Sequence, residues 1–357
     1  MSDVFRIAFV GIDHPHGAGW RESLLNLGDE AHITAIVPRF GGTTYSLEER
    51  HSRVPRFETV EELVARGSDL FDGAIICLPN SESPSAAALL AASGKHILLE
   101  KPGAADANAA RVVVEAVRNS KVAFQSGYLW RYDAAVERLR DMVRDGRFGK
   151  LISVEMSWVT SDVARRGRDH YLFNQATSGA GFFNWLACHW IDCLLYITGE
   201  TVTGVMARTG TFGETTNDVD DGGAAIFELA GGGVATFVGG YWIPRWTSEC
   251  RWTIRGSQRW VHWNPLSPDA GSTLTIHGPQ PQFQAMDETF LIPADPVAGY
   301  GGSRSVSLIR DWIAAARGGV NQCRNSPESL LAVLEVIDRI YESSSAGKRI
   351  ECRVEAQ

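Results

Sequence analysis

The chain has 357 residues, 44% of them hydrophobic and 21% charged, and carries a net charge of −8. That length suits about two domains, and the balance is that of a packed globular protein, not a disordered one. The acidic surplus argues against nucleic acid or an anionic membrane as partner, and no apolar run approaches the ~18 residues of a membrane span.

Two smaller features complete that picture. The start, MSDVFRIAFV, lacks the basic region, apolar core and cleavage site of a secretory signal. Six scattered cysteines without Cys-x-x-Cys spacing read as reduced thiols, so a cytoplasmic protein is expected.

In chain order, short apolar or β-branched runs at 5–10, 32–37, 73–77, 96–99 and 122–125 predict strands. Helical patterns at 17–27, 45–53, 60–66, 83–93 and 107–119 lie between them. Nearly continuous apolar strands alternating with amphipathic helices imply a parallel sheet covered on both faces. Residues 1–125 are therefore expected to form a doubly wound α/β nucleotide-binding domain.

After residue 126 the texture changes. A helix at 134–145 precedes alternating strands at 153–159, 203–211, 222–229, 233–241, 249–255 and 259–263. Residues 126–357 then form an α+β domain with a large, open, mostly antiparallel sheet. A final helix at 327–343 is expected to pack back on the first domain. No internal repeat is present.

The first strand runs into GIDHPHG, where Gly11 opens a dinucleotide loop but Asp13 replaces the second glycine. An Asp-His-x-His metal cluster is the rival reading, but no third ligand stands at convincing spacing. The loop is read as a modified phosphate-binding turn at a helix start, with Gly11, Ile12, Asp13, His14 and His16 facing the cofactor. No metal is expected. Cys188, His189, Asp192 and Cys193 are no zinc set either, because Cys188 and His189 point about 100° apart on a helix.

The most specific stretch is GKHILLEKPGA, in which a buried strand ends in Glu100-Lys101-Pro102 at the carboxyl edge of the sheet, where ligands of such sheets bind. Around it lie AIICLPNSES, QSGYLWRYDAAVERLRDMVRDGRFGKLISVEMSW, SGAGFFNWLACHWIDCLLYITG and DVDDGGAAIFELAGGGVATF. On these motifs the chain resembles, over essentially its whole length, the glucose–fructose oxidoreductase, inositol dehydrogenase and rhizopine-catabolism (Gfo/Idh/MocA) family.

The resemblance implies a Rossmann domain and NAD(P)-dependent hydride transfer at a ring hydroxyl or ketone of a sugar or polyol. It implies that Lys101 approaches the reacting carbon, that His189 handles the hydroxyl proton, and that Asp192 orients the histidine. Leu78, Pro79, Asn80, Ser83, Glu100 and Lys101 join the loop residues as cofactor contacts. The chemistry is coherent, since removing hydride from a secondary alcohol needs a base for its proton and a donor for the developing alkoxide.

AIVPRFGGTT places Arg39 where an NAD-preferring enzyme has an acid, and an arginine there suits a 2′-phosphate, with Thr43 and Thr44 as further donors. NADP is therefore expected, with NAD as the other candidate. The helix carrying His189 departs from the family at Trp185, one turn earlier, where the sugar dehydrogenases usually hold an aspartate.

Tyr128, Trp185, Arg168 and Trp242 are the remaining substrate-side candidates beside Lys101 and His189. The substrate is expected to be a cyclic sugar, polyol or glycoside, and the protein a homodimer or homotetramer. Two rival functions remain: sugar chemistry using bound cofactor without net redox, and a non-catalytic cofactor or sugar sensor on the same scaffold.

Overall fold

The computed structural model describes residues 4–14, 16–40, 51–167, 170–214, 218–265, 271–279 and 287–354. It divides into two compact units, 1–132 with 296–331, and 133–295 with 332–357.

In the first unit, β1 (Phe5–Val10), α1 (Gly17–Leu25), β2 (Ala31–Val37), α2 (Val60–Gly67), β3 (Gly73–Ile76), α3 (Ser83–Ala92), β4 (His96–Leu99), α4 (Ala107–Ser120) and β5 (Phe124–Ser126) alternate along the chain. The five strands are all parallel, in the order β2-β1-β3-β4-β5. An isolated parallel bridge from Ile36 to Arg56 extends the β2 edge. Strand order reverses between β1 and β3, so their carboxyl ends frame the crevice in which open α/β sheets bind ligands.

Local signals set the helix starts. Thr59, Asp106 and Asp133 each accept a backbone N–H at the start of the helix that follows. On α4 the buried positions Ala107, Ala110, Val113, Val114 and Val117 repeat at helical spacing. Each fully buried valine contributes roughly 1.5–3 kcal/mol of transfer free energy.

A single cut after residue 125 does not describe this unit, because compactness returns 296–331 to it. The reason is packing against the sheet and α1. Trp312 on α7 (Ser303–Ala316) is fully buried, meets Phe5 edge-to-face at 5.3 Å, and fills the space above Gly73. Tyr300 donates its N–H to the Gly19 carbonyl, and a side chain at Gly19 would collide with it. The helix expected at 45–53 falls at 45–50 outside the described residues.

The second unit contains α5 (Ala134–Arg144), β6 (Leu151–Ser161), α6 (Cys188–Thr198), β7 (Val202–Gly210), β8 (Gly222–Leu229), β9 (Val234–Ile243), β10 (Ser248–Gly256), β11 (Trp260–Asn264), β12 (Gly271–His277), β13 (Glu288–Pro293) and β14 (Ile350–Val354). Its nine strands run β13-β12-β11-β10-β6-β9-β8-β7-β14, antiparallel except for the β6–β9 pair. One sheet face is covered by α6, whose Trp190 packs against Trp158, Trp252 and Trp263. The other face is open and carries exposed Met206, Ile226, Val234 and Val238. The last helix, α8 (Pro327–Ala346), is where the division falls, with 327–331 in the first unit and the rest in the second.

Candidate active site

In the first unit the loop after β1 is closed by its own backbone. Gly11 donates to the Val37 carbonyl at 2.7 Å and adopts φ +72°, and a Cβ there would lie 2.2 Å from the Cys77 carbonyl oxygen. Only glycine fits that crossing of β1 and β3. His14 and Gly17 continue the turn, donating to Gly11 and His14 carbonyls respectively. Buried Ile12 sits beneath, and a Cβ on Gly17 would meet its carbonyl oxygen.

The residues that replace the fingerprint glycines are bound to other parts of the unit. Both Asp13 carboxylate oxygens accept backbone N–H groups at the exit of β2, from Arg39 at 2.7 Å and Phe40 at 2.6 Å. The Arg39 guanidinium forks onto Glu82, with contacts of 2.8 and 2.6 Å. This pairing raises the pKa of Arg39. The arginine expected to await a 2′-phosphate is therefore held by a carboxylate, and the Asp13 side chain braces the β2 exit. Thr43 and Thr44 lie outside the described residues.

Glu100 is buried and spends each oxygen on α1. It accepts from His16 Nδ1 at 2.9 Å and from the Trp20 indole at 2.8 Å. His16 in turn stacks on Tyr300, ring centroids 4.6 Å apart, and accepts nothing at the helix start. The N-terminus of α1 thus has no side-chain cap, unlike α2, α4 and α5, and no acid in its first turn, unlike α2 and α5. Lys101 follows, buried, at the end of β4, joined to Pro102 by a cis bond.

Leu78, Pro79 and Asn80 form the buried turn after β3, which Ser83 closes by donating its hydroxyl to the Leu78 carbonyl. Tyr128 is buried as well, and its carbonyl accepts from the Asn325 amide.

In the second unit His189 is buried near the start of α6 and stacks on Trp158 of β6, centroids 5.9 Å apart. Asp192, buried, follows one turn later. Ahead of them Phe183–Ala187 forms a π-helical turn, the wide geometry that often marks functional positions. The family's aspartate position, Trp185, is packed edge-to-face on Tyr171. Asn184, five residues before His189, lies within the same wide turn. Asn184 is fully buried, its amide donates to the Ser178 carbonyl, and its Oδ1 has no partner among the described residues.

Sequence reading missed Asp220. Its carboxylate accepts the N–H groups of Gly181 at 3.0 Å and Phe183 at 3.4 Å, at the start of the π turn, and the Tyr341 hydroxyl at 2.7 Å. The residue keeps some exposure, yet its carboxyl is deep enough that desolvation pushes the pKa up to about 6 against these donors. Its only signal in sequence was a doublet of acids before Gly222-Gly223.

Arg168 lies outside the described residues. Trp242 requires a correction. Along β9, Tyr241 packs on Phe173 and Phe182 beneath the sheet, so its neighbour Trp242 points to the opposite, open face. It does not share a face with His189. Among the described residues, no three His, Cys, Asp or Glu side chains gather as metal ligands, and no helix is long and apolar enough to cross a membrane.

Comparison with known proteins adds a lineage to this geometry. Residues 5–128 match the profile described as an oxidoreductase family with an NAD-binding Rossmann fold, and 136–262 match the GFO/IDH/MocA C-terminal domain. The rhizopine catabolism protein MocA of Rhizobium meliloti is 26% identical over 87% of this chain and 93% of its own. An inositol 2-dehydrogenase of the same species is 28% identical over 50% of this chain and 51% of its own. Among solved structures, an oxidoreductase domain protein from Kribbella flavida superposes with a TM-score of 0.84 at 19% identity, covering 99% of this chain and all of that one. A levoglucosan dehydrogenase in complex with NADH and L-sorbose gives 0.83 at 17% identity, covering 98% of this chain and 99% of that one.

Proposed function

Because the chain belongs to the GFO/IDH/MocA oxidoreductase family, we propose that it transfers hydride between a nicotinamide coenzyme and a secondary hydroxyl or ketone of a cyclic sugar, polyol or glycoside. The observation that carries the proposal is Lys101, an ammonium group buried at the carboxyl end of β4 beside a glutamate that anchors the dinucleotide loop.

The first unit fits the coenzyme. Gly11 permits close backbone approach, and the bare N-terminus of α1 offers N–H groups and a positive dipole end to a pyrophosphate. Gly11, Ile12, His14 and His16 would hold that group, with the 78–80 turn and Ser83 lining the way to Lys101. When bound, the nicotinamide supplies the hydride acceptor or donor.

In this reading Lys101 donates a hydrogen bond to the substrate oxygen and stabilises the alkoxide, His189 takes or returns the hydroxyl proton, and Asp192 orients the imidazole. Asn184 takes over the positioning duty of the absent aspartate, its Oδ1, without a partner among the described residues, accepting from substrate or histidine. Trp185 belongs to the packing around Tyr171.

The coenzyme preference expected from sequence is reversed in this proposal. Glu82 already occupies the Arg39 fork and would repel a 2′-phosphate, so NAD is preferred over NADP. A homodimer or homotetramer remains part of the proposal, supported by the apolar strip of Met206, Ile226 and Val234 on the open sheet face; light scattering reads its mass.

The test is a panel of sugars, inositols and uronates followed by reduced-coenzyme absorbance. Lys101→Ala is expected to lower kcat/KM on any turned-over member by about 10³-fold with coenzyme Kd within about twofold. A full panel without turnover would leave the sensor reading in place of this one.

A further inference from the structure

We propose that Asp220 is a positioning residue for the hydride transfer inferred above: it caps the helix entrance at 181–183 and so fixes the turn that holds Asn184 and leads into His189. The inference rests on that reading of the function, and every group it uses lies in the second unit.

A helix start leaves its first N–H groups without intrahelical partners. At this one, three of them end on a single residue. Gly181 donates to Asp220 Oδ1 at 3.0 Å, Phe182 to the Asp220 carbonyl at 3.2 Å, and Phe183 to Oδ2 at 3.4 Å. The close approach is built into the sequence. A Cβ on Gly181 would lie 2.0 Å from the Asp220 carbonyl oxygen and 2.6 Å from Oδ1, so any other residue there would push the cap away.

Thr59, Asp106 and Asp133 cap their helices from the position just before them. Such a local cap satisfies donors but does not fix where the helix starts relative to the sheet. Asp220 stands 39 positions beyond Gly181 and is itself held from two sides. Tyr341 of α8 donates its hydroxyl to Oδ1 at 2.7 Å. The next residue, Asp221, is fully buried and tied to the sheet: its N–H donates to the Gly210 carbonyl of β7, and its carbonyl accepts from Tyr241 of β9. The helix entrance is thereby referenced to the sheet. His189 lies on the same unbroken helical run, 182–198, so a shift at its start is carried to the imidazole.

Folding alone does not explain the arrangement. Phe182 and Phe183 already seat the turn on Phe237 of β9 without any carboxylate. Desolvation pushes the Asp220 carboxyl up to about 6 in spite of its donors, so at neutral pH the ionised form is kept at a loss of stability. A charge retained on those terms is accounted for by where it puts the segment. Proton transfer is steep in geometry, a misplacement of about 1 Å costing up to about 10²-fold in rate.

The test compares Asp220→Asn and Tyr341→Phe with the parent on a turned-over sugar or polyol, with active sites counted by coenzyme binding. Asp220→Asn leaves the Phe183 N–H unmet, while Tyr341→Phe removes one donor and keeps the carboxylate. Per active site, kcat is expected to fall by about tenfold in the first and about threefold in the second. KM and coenzyme Kd should stay within about twofold, and the solvent deuterium isotope effect on kcat should rise as proton transfer becomes the slower step. Hydrogen exchange at the 181–183 amides should quicken in both variants, a readout that needs no catalysis.

An unchanged kcat per active site in Asp220→Asn would overturn the positioning role whether or not Tm falls, since a merely structural group lowers the number of active molecules and not the rate of each. Unchanged exchange at 181–183 would overturn the cap itself. If Asp220→Asn does not fold, Tyr341→Phe decides on the same two readouts. The hydride-transfer reading is tested separately, on the parent and its Lys101→Ala variant.

Discussion

The dinucleotide loop and the entrance to α6 both depart from the family pattern, and they absorb the departure in opposite ways. Around Gly11 three of the substituted side chains are tied into the first unit: Asp13 braces the β2 exit, Arg39 forks onto Glu82, and His16 pairs with Glu100. At 181–189 stand a π turn, an Asn184 Oδ1 without a partner among the described residues, and the Asp220 carboxyl, hydrogen-bonded yet pushed up to about 6. Polar atoms left unsatisfied in the interior cost free energy, and they persist where something outside the chain completes them. We propose that a ligand completes the second region.

Asp220 offers the largest way to break that contrast. Its native carboxyl is raised to about 6 by desolvation, against an ordinary unfolded value near 4. Between those values the native state holds more protons than the unfolded chain, so stability falls as pH rises from about 4 to 6. A shift of about two units corresponds to at most about 3 kcal/mol, partly screened because the residue keeps some exposure. Asp220→Asn removes the charge and keeps one oxygen, enough for the Gly181 N–H and the Tyr341 hydroxyl but not for the Phe183 N–H. Urea midpoints measured from pH 4 to 8 should flatten in the variant. A parent whose midpoint rises through that window would show that Asp220 carries no such cost.

Asn184 tests whether the open polar atom is catalytic positioning or residual strain. Asn184→Leu should lower kcat by about 30-fold, roughly 2 kcal/mol, if Asn184 has the positioning role proposed for it. Asn184→Asp, which restores a carboxylate, should recover most of the rate and add an acid limb to the pH profile of kcat/KM. If Leu leaves kcat intact and raises Tm, the atom is a packing defect and the contrast between the two regions disappears.

Much of this was legible in the chain itself. The strands at 5–10, 73–77 and 96–99 are runs of buried aliphatics, and Gly222–Leu229 alternates as a half-covered strand must. β12, β13 and α7 went unread, although Val306, Ile309 and Ile313 repeat at helical spacing; only their long-range packing reveals that 296–331 returns to the first sheet. The π turn was invisible because FNWLA satisfies an α pattern equally well, and one extra residue per turn leaves no compositional mark. The Arg39–Glu82 pair spans 43 positions, and nothing local to either residue announces it.

That pair yields the smallest effect and the sharpest reading of the closed region. Arg39 and Glu82 are both substantially exposed, so the bridge itself contributes little to stability, on the order of 0–1 kcal/mol. Its weight lies in selectivity, since a 2′-phosphate has to displace a carboxylate from the same fork or share it at close range. Glu82→Gln removes the competing charge and leaves Arg39 in place. The ratio of kcat/KM with NADP to that with NAD should rise by about fivefold to tenfold, about 1–1.4 kcal/mol, chiefly through a lower KM for NADP. High salt should narrow the change, because exposed charges are screened. An unchanged ratio would place the adenosine ribose elsewhere than the β2 exit and leave the loop's closure without a role in choosing its coenzyme.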